Sequence, residues 1–296
     1  HWQPRSGGAK HFQKYLEQGK RMPVAIAIGG EPAVLFSAIL PLPVTVDEMR
    51  FAGFLRNTPV ELVSGLTTPL LVPAGAELVI EGYIESSEMI RGCTFGNHTG
   101  FYAPAPDAPV VHVTCVTRKK SPVFTATVVG RPPMEDCWLA KAAERLILPF
   151  IQLELPEIVD INLPMEWIFH NSAIVSIDKK YPGHAGEVMH ALRKSAWLQR
   201  ARLLLVVDAD LDVRDLSLVA WKVINNMDWQ RDLWPVDDRL ANSSPDSSFP
   251  LSESLVNIDA TRKWPEERNG RPWPSEIVKD EAVRRLVDRR WKEYGF

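Results

Sequence analysis

Thr94-Phe95-Gly96-Asn97-His98-Thr99-Gly100-Phe101-Tyr102 is the stretch whose residue types and spacing best suit chemistry. Gly96 and Gly100 permit close backbone approach or positive φ. Phe95 and Phe101 are expected to anchor the loop. Asn97, His98 and Thr99 then stand at its tip with hydrogen-bonding side chains. Such loops often carry function, and an ordinary hairpin turn is the competing reading. Other chemistry-bearing groups are spread along the chain. Glu88 lies shortly before the loop, Glu48 opens an apolar helical pattern, and Lys263 sits between Arg262 and Trp264. The acidic run Asp208, Asp210, Asp212 follows a buried strand pattern, where loop solvation and capping are the commoner use of such residues.

These groups need elements to hold them. In the first half, strand patterns cover 24–29, 60–63, 70–72, 78–84, 110–117 and 124–129, punctuated by Gly and Pro, which is the pattern of a β-barrel. Short helices are expected at 12–19 and 31–38. Asp47 is placed to cap a helix over Glu48–Leu55. Beyond Gly130 the pattern changes. Helices are expected at 136–148, 184–195 and 216–225, and strands at 158–163, 171–177 and 203–207. Alternating strands and helices indicate an α/β layer. Residues 240–254 read as a Ser- and Pro-rich surface loop. The charged segment 275–294 reads as a helix that must dock elsewhere. The expected division is a first domain over 1–130 and a second over 131–296.

Composition narrows the function classes. The 296 residues are 45% hydrophobic and 24% charged, with a net charge of -3. These are ordinary globular values. Lys and Arg are dispersed, so no nucleic-acid footprint is expected. No apolar run approaches the roughly 20 residues of a membrane span. Cys93, Cys115 and Cys137 form neither a disulfide framework nor a CxxC site, which suits a reducing cytoplasm. Cys115 is expected to be a core thiol.

Ordered blocks along nearly the whole chain resemble the UbiD family. They include His1-Trp2-Gln3 with Gly7-Gly8-Ala9, Leu40-Pro41-Leu42-Pro43, and Asp47-Glu48 followed by Phe51-Ala52-Gly53-Phe54-Leu55-Arg56. Ile80-Glu81-Gly82-Tyr83, Val129-Gly130-Arg131-Pro132-Pro133-Met134-Glu135-Asp136, Leu155-Pro156-Glu157-Ile158-Val159-Asp160 and Ile258-Asp259-Ala260-Thr261-Arg262-Lys263-Trp264-Pro265 continue the series. The resemblance implies an α+β fold, a flavin-reductase-like split β-barrel followed by an α/β C-terminal domain. It implies a reversible decarboxylase or carboxylase of an aromatic or α,β-unsaturated acid that uses prenylated FMN. A divalent metal, Mn or Mg, is implied beside the flavin phosphate, with K as a further candidate.

Site residues follow position by position from the same resemblance. Glu48 matches a metal-binding glutamate, and His1 a position that ligates metal in some members. Trp2, Gln3, Ser6, Gly7, Pro41 and Lys263 match cofactor-side positions, Lys263 being the one that approaches the flavin phosphate. Arg131 is a further pocket candidate, with a structural role as the alternative. The acid motif departs from the family, which normally carries two carboxylates five residues apart. Here Gly92 and Asn97 occupy those positions. An amide does not exchange protons at neutral pH, and Glu88 is the nearby carboxylate that would have to be rerouted. Family members also carry a region before the position of His1, and a second chain is one expected source of it. The readings left open are a decarboxylase, a non-catalytic or assembly subunit of a larger carboxylase, and flavin chemistry that needs no protein carboxylate. A homo-oligomer is expected in each case.

Overall fold

The computed structural model describes residues 7–40, 42, 46–103, 107–195, 197–199, 201–236 and 255–295. His1, Trp2, Gln3, Ser6, Pro41 and the loop 240–254 lie outside the described residues.

In the first half, helix α1 (Gly7–Glu17) precedes strand β1 (Met22–Ile28). β1 runs antiparallel to the long strand β4 (Leu78–Ile90), and β7 (Ala108–Arg118) covers the other edge of β4. Two separate two-stranded hairpins accompany this sheet, β2 (Leu62–Ser64) with β3 (Leu71–Pro73), and β5 (Phe95–Gly96) with β6 (Tyr102–Ala103). Gly82 is required where β4 meets β7, because a Cβ there would stand 2.2 Å from the His112 carbonyl oxygen. The pairing is irregular on both sides of this point, between Glu81 and Gly82 and between Ile84 and Met89. Such bulges bend a strand and re-aim its side chains.

One expected strand is missing. Residues 124–129 have no regular structure, and Phe124 and Val128 are 70% and 59% exposed. Alternating apolar residues make a strand only where a neighbouring edge accepts the backbone. Here the Val128 amide donates to Glu135 Oε2 at 2.7 Å instead.

Helices α2 (Pro32–Ile39) and α3 (Glu48–Leu55) pack on each other. The Asp47 side chain accepts from the Arg50 amide at 2.9 Å, which fixes the start of α3 where its sequence predicts. Phe51 of α3 is buried in the core of the second half and lies 5.9 Å from the Phe150 ring.

That second half is a five-stranded sheet in the order β11-β12-β10-β9-β8. β9 (Ser172–Ile177), β10 (Leu203–Asp208) and β12 (Leu255–Asp259) are parallel, while β8 (Ile158–Asn162) and β11 (Leu233–Val236) are antiparallel edges. Every residue of β9 is buried, as expected of a parallel strand covered on both faces. Ala173, Val175, Leu204 and Val206 pack with α4 (Glu135–Glu154) and α5 (His184–Lys194). The alternate residues Ile174, Leu205 and Val207 pack with Val219 of α6 (Leu216–Asn226). α4 continues through Pro149, beyond the expected end at 148. Phe150 and Ile151 after the proline join the core, and this packing outweighs the proline's local cost. The last helix, α7 (Glu281–Arg289), is shorter than expected and has no buried residue. Its Val283 and Leu286 are exposed. Among the described residues no helix is long and apolar enough to cross a membrane. Cys137, at the start of α4, is the fully buried thiol, whereas Cys115 is half-buried.

Candidate functional site

The Asn97 loop is the turn of the β5–β6 hairpin. The Asn97 amide donates to Phe101 O at 3.3 Å, and the Gly100 amide donates to Asn97 O at 3.0 Å. Asn97 Oδ1 accepts from the Thr99 amide at 2.9 Å and from Thr99 Oγ1 at 2.5 Å. A backbone amide only donates, so the group facing Thr99 must be the carbonyl end of the Asn97 side chain. Asn97 and Thr99 are both buried. Phe95 and Phe101, expected as anchors, are 40% and 52% exposed. Two further contacts hold the loop. Gly100, at φ 82°, lies against the Arg131 backbone, where a Cβ would come within 3.0 Å of the Arg131 Cα. On the other side the His98 ring meets Phe169 at 5.3 Å and His170 at 4.4 Å between centroids. The loop therefore bridges the two halves of the chain. Sequence reasoning missed Phe169 and His170, since nothing in their spacing pairs them with residue 98.

Glu88 stands on the irregular end of β4, and its Oε2 lies 2.5 Å from His112 Nε2 on β7. The His112 ring stacks on Tyr83 at 5.0 Å, with Arg21 over the Tyr83 ring. Neither side chain is buried, and the pair is the carboxylate–imidazole arrangement of this sheet.

Glu48 is exposed in the first turn of α3. An exposed carboxylate of this kind is a hard oxygen donor suited to a divalent cation. Gly7, the first residue of α1, is also exposed. Lys263 is placed differently, with 3% exposure. Its ammonium donates to Asp259 O at 2.8 Å and Thr261 O at 2.9 Å, and lies 2.9 Å from Asp259 Oδ1 and 3.6 Å from Asp232 Oδ1. An ammonium has three donors, so its hydrogen-bonding capacity is taken up within the protein. Among the described residues, no three His, Cys, Asp or Glu side chains form a group that could hold a metal ion.

The acidic run after β10 is occupied structurally, as expected. Asp208 accepts from the Arg262 amide, Asp210 pairs with Arg262, and Asp212 accepts from the Arg214 amide. Burial pushes the Asp208 carboxyl up despite the Arg262 contacts. Nearby, burial also pushes Glu267 upward, but bonds from Lys179 and from the Gly183 and Trp264 amides together hold it below the usual carboxylate range.

Residues 1–132 match the family model of the 3-octaprenyl-4-hydroxybenzoate carboxy-lyase Rift-related domain, and residues 137–260 that of the C-terminal domain. An uncharacterised protein of Archaeoglobus fulgidus is 44% identical over 99% of this chain and 61% of its own length. Another from Aquifex aeolicus is 43% identical over 100% of this chain and 61% of its own. Among solved structures, an evolved dimeric form of the UbiD-class enzyme HmfF from Pelotomaculum thermopropionicum, in complex with prFMN, aligns with a TM-score of 0.73 at 29% identity. That alignment covers 94% of this chain and 60% of HmfF. The vanillic acid decarboxylase of Sedimentibacter hydroxybenzoicus in closed form gives a TM-score of 0.82 at 25% identity, over 97% and 60%. The chain thus spans about three fifths of the length of the relatives it matches. With family models matched over both halves and the same fold found in UbiD-class enzymes, this chain belongs to the UbiD family.

Proposed function

We propose that this chain forms the larger part of a cytoplasmic decarboxylase or carboxylase that acts on an aromatic or α,β-unsaturated acid with prenylated FMN. The observation that carries this reading is the match to both UbiD family models, supported by a neighbour that holds prFMN. When bound, the flavin supplies an electron sink at the substrate carbon. In this reading the first part, to about residue 130, is a split β-barrel built on the β1-β4-β7 sheet, and residues 131–296 form the second domain. The flavin side comprises His1, Trp2, Gln3, Ser6, Gly7 and Pro41. Glu48 and His1 hold a divalent metal, Mn or Mg, and K is a further ion to test. For Lys263 to serve the flavin phosphate, a phosphate oxygen must replace one of its present acceptors.

Asn97 orients a carboxylate or carbonyl of the substrate by hydrogen bonding, and the proton falls to another group. Glu88, hydrogen-bonded to His112, is the candidate this chain supplies. The second reading, a non-catalytic or assembly subunit, is favoured by one observation. The chain has Gly92 and Asn97 where the resemblance to the family implies carboxylates. Further polypeptide, from a second chain or a second copy, would cover apolar residues exposed on the first half, among them Leu66, Leu71, Val116 and Phe124.

The test is turnover and deuterium exchange on a panel of aromatic and cinnamic acids, using protein loaded with prenylated FMN. Turnover that Glu88→Gln abolishes supports the first reading. Flavin binding without turnover supports the second. The Glu48→Gln variant should lose metal and flavin together, and unchanged occupancy of both counts against the placement of the metal.

A further inference from the structure

The turn from Ile168 to Asn171 concentrates backbone cost in four residues. Ile168 adopts φ 59° and Phe169 φ 23°. Positive φ is uncommon outside Gly, and for β-branched or bulky residues it marks a true outlier. Asn171 Oδ1 is buried and has no hydrogen-bond partner among the described residues. Such costs persist only where the surroundings over-determine the conformation. Here they do. Ile168 N donates to Met165 O, Phe169 N to Pro164 O, Asn171 N to Ile168 O, and Ser172 Oγ to Trp167 O, at 2.8–3.1 Å. The outcome is a rigid presentation of two rings, with Phe169 and His170 4.8 Å apart and both in contact with His98. Phe169 is buried and His170 is exposed. His98 in turn lies between Asn97 and Thr99, whose side chains close the loop on itself.

We infer that the turn 168–171 is a positioning platform for the Asn97 loop, acting through the His98 ring, and that His170 is its accessible positioning residue. The bearing on catalysis rests on the proposed reading that this loop lies at the reacting centre. The platform itself does not depend on that reading.

The experiment is amide hydrogen exchange at Asn97, Thr99 and Gly100, together with kcat and KM on the acid panel. The proteins compared are the wild type, His170→Ala, His170→Phe and Ile168→Asn. Exposed substitutions usually leave global stability nearly unchanged, so His170→Ala should fold. An aromatic contact of this kind corresponds to about two- to tenfold in an equilibrium. His170→Ala should therefore speed exchange at the three loop amides by about that factor, with Tm retained. His170→Phe, which keeps a ring, should restore slow exchange. Ile168→Asn should leave loop exchange unchanged, since Asn tolerates the left-handed region. Turnover in His170→Ala should fall through kcat more than KM. Exchange at 97–100 that is unaltered in His170→Ala, or that His170→Phe fails to restore, overturns the inference. Faster loop exchange with unaltered turnover keeps the platform and overturns the reading of the loop as the reacting centre.

Discussion

The two halves of the molecule neutralise their buried acidic groups by different means. In the first half the Glu81 carboxylate, 2% exposed, accepts from the amides of Leu66, Thr67 and Thr68 and from both threonine hydroxyls. Those amide bonds hold its pKa down at about 2. In the second half the partners are full charges. Lys263 lies against Asp259 and Asp232, Lys179 against Glu267, and Lys141 and Arg145 against Glu144. The contrast is sharpest in two turns of the same design. Asp259 Oδ1 accepts from the Thr261 amide at 2.9 Å and from Thr261 Oγ1 at 2.6 Å. Asn97 does the same with Thr99 at 2.9 and 2.5 Å. The charged version carries its own lysine. The neutral version closes the same turn with no charge on its central acceptor. A carboxylate at 97 would therefore add a buried charge to a turn that is built without one.

The largest effect should come from breaking the charged version. In Lys263→Met, Asp259 and Asp232 lose their buried cation, which typically costs about 3–5 kcal/mol. Denaturant unfolding would show the loss as a lower midpoint at unchanged slope. A change of less than about 1 kcal/mol would mean that the ion cluster is not what holds the end of β12. The same variant bears on the proposed cofactor. If flavin affinity falls while the unfolding midpoint holds, Lys263 serves the phosphate and the cluster is secondary.

Glu81 gives the opposite case, in which the donors cannot titrate away. Its folded pKa lies below the usual carboxylate value of 4.5, so its contribution is fully present above that value and is lost as pH falls through about 2. Glu81→Gln keeps an acceptor but not the charge. The stability gap between wild type and Glu81→Gln should be greatest near neutral pH, hold to about pH 5, and shrink toward pH 2. A gap independent of pH across that range would show that the amides do not favour the charged form.

How far the sequence revealed these devices depends on how local they are. Asp47 and the start of α3 were legible because a cap and its helix lie within four residues. The alternation of strands and helices after Gly130 was legible from periodicity alone. Residues 124–129 misled because a strand pattern does not say whether a partner edge exists. The Glu88–His112 pair depends on the irregular pairing of β4 with β7, which spacing does not encode. The 168–171 turn had no signal at all, since Ile and Phe are the wrong residues for positive φ. The loop at 97 was found from its residue types, but what holds it was not. Phe95 and Phe101 are partly exposed, and the contacts of His98, Thr99 and Gly100 that hold the loop have no counterpart in the spacing.

The smallest expected effect tests the comparison most directly, because it changes one hydroxyl in each twin turn. Thr→Val keeps the branched shape and removes the oxygen. Thr99→Val loses a bond to a neutral amide oxygen, worth about 0.5–1.5 kcal/mol, whereas Thr261→Val loses one to an ionised carboxylate, worth about 1.5–3 kcal/mol. Thr261 Oγ1 also accepts from Lys179 at 3.1 Å, so its removal disturbs a second buried charge. The substitution at 261 should therefore cost about twice that at 99 in denaturant unfolding at neutral pH. Added salt should narrow the difference only slightly, because buried pairs are screened much less than surface ones. Equal costs would mean that the backbone amide, common to both turns, carries the closure, and that the charge at Asp259 matters to Lys263 rather than to the turn.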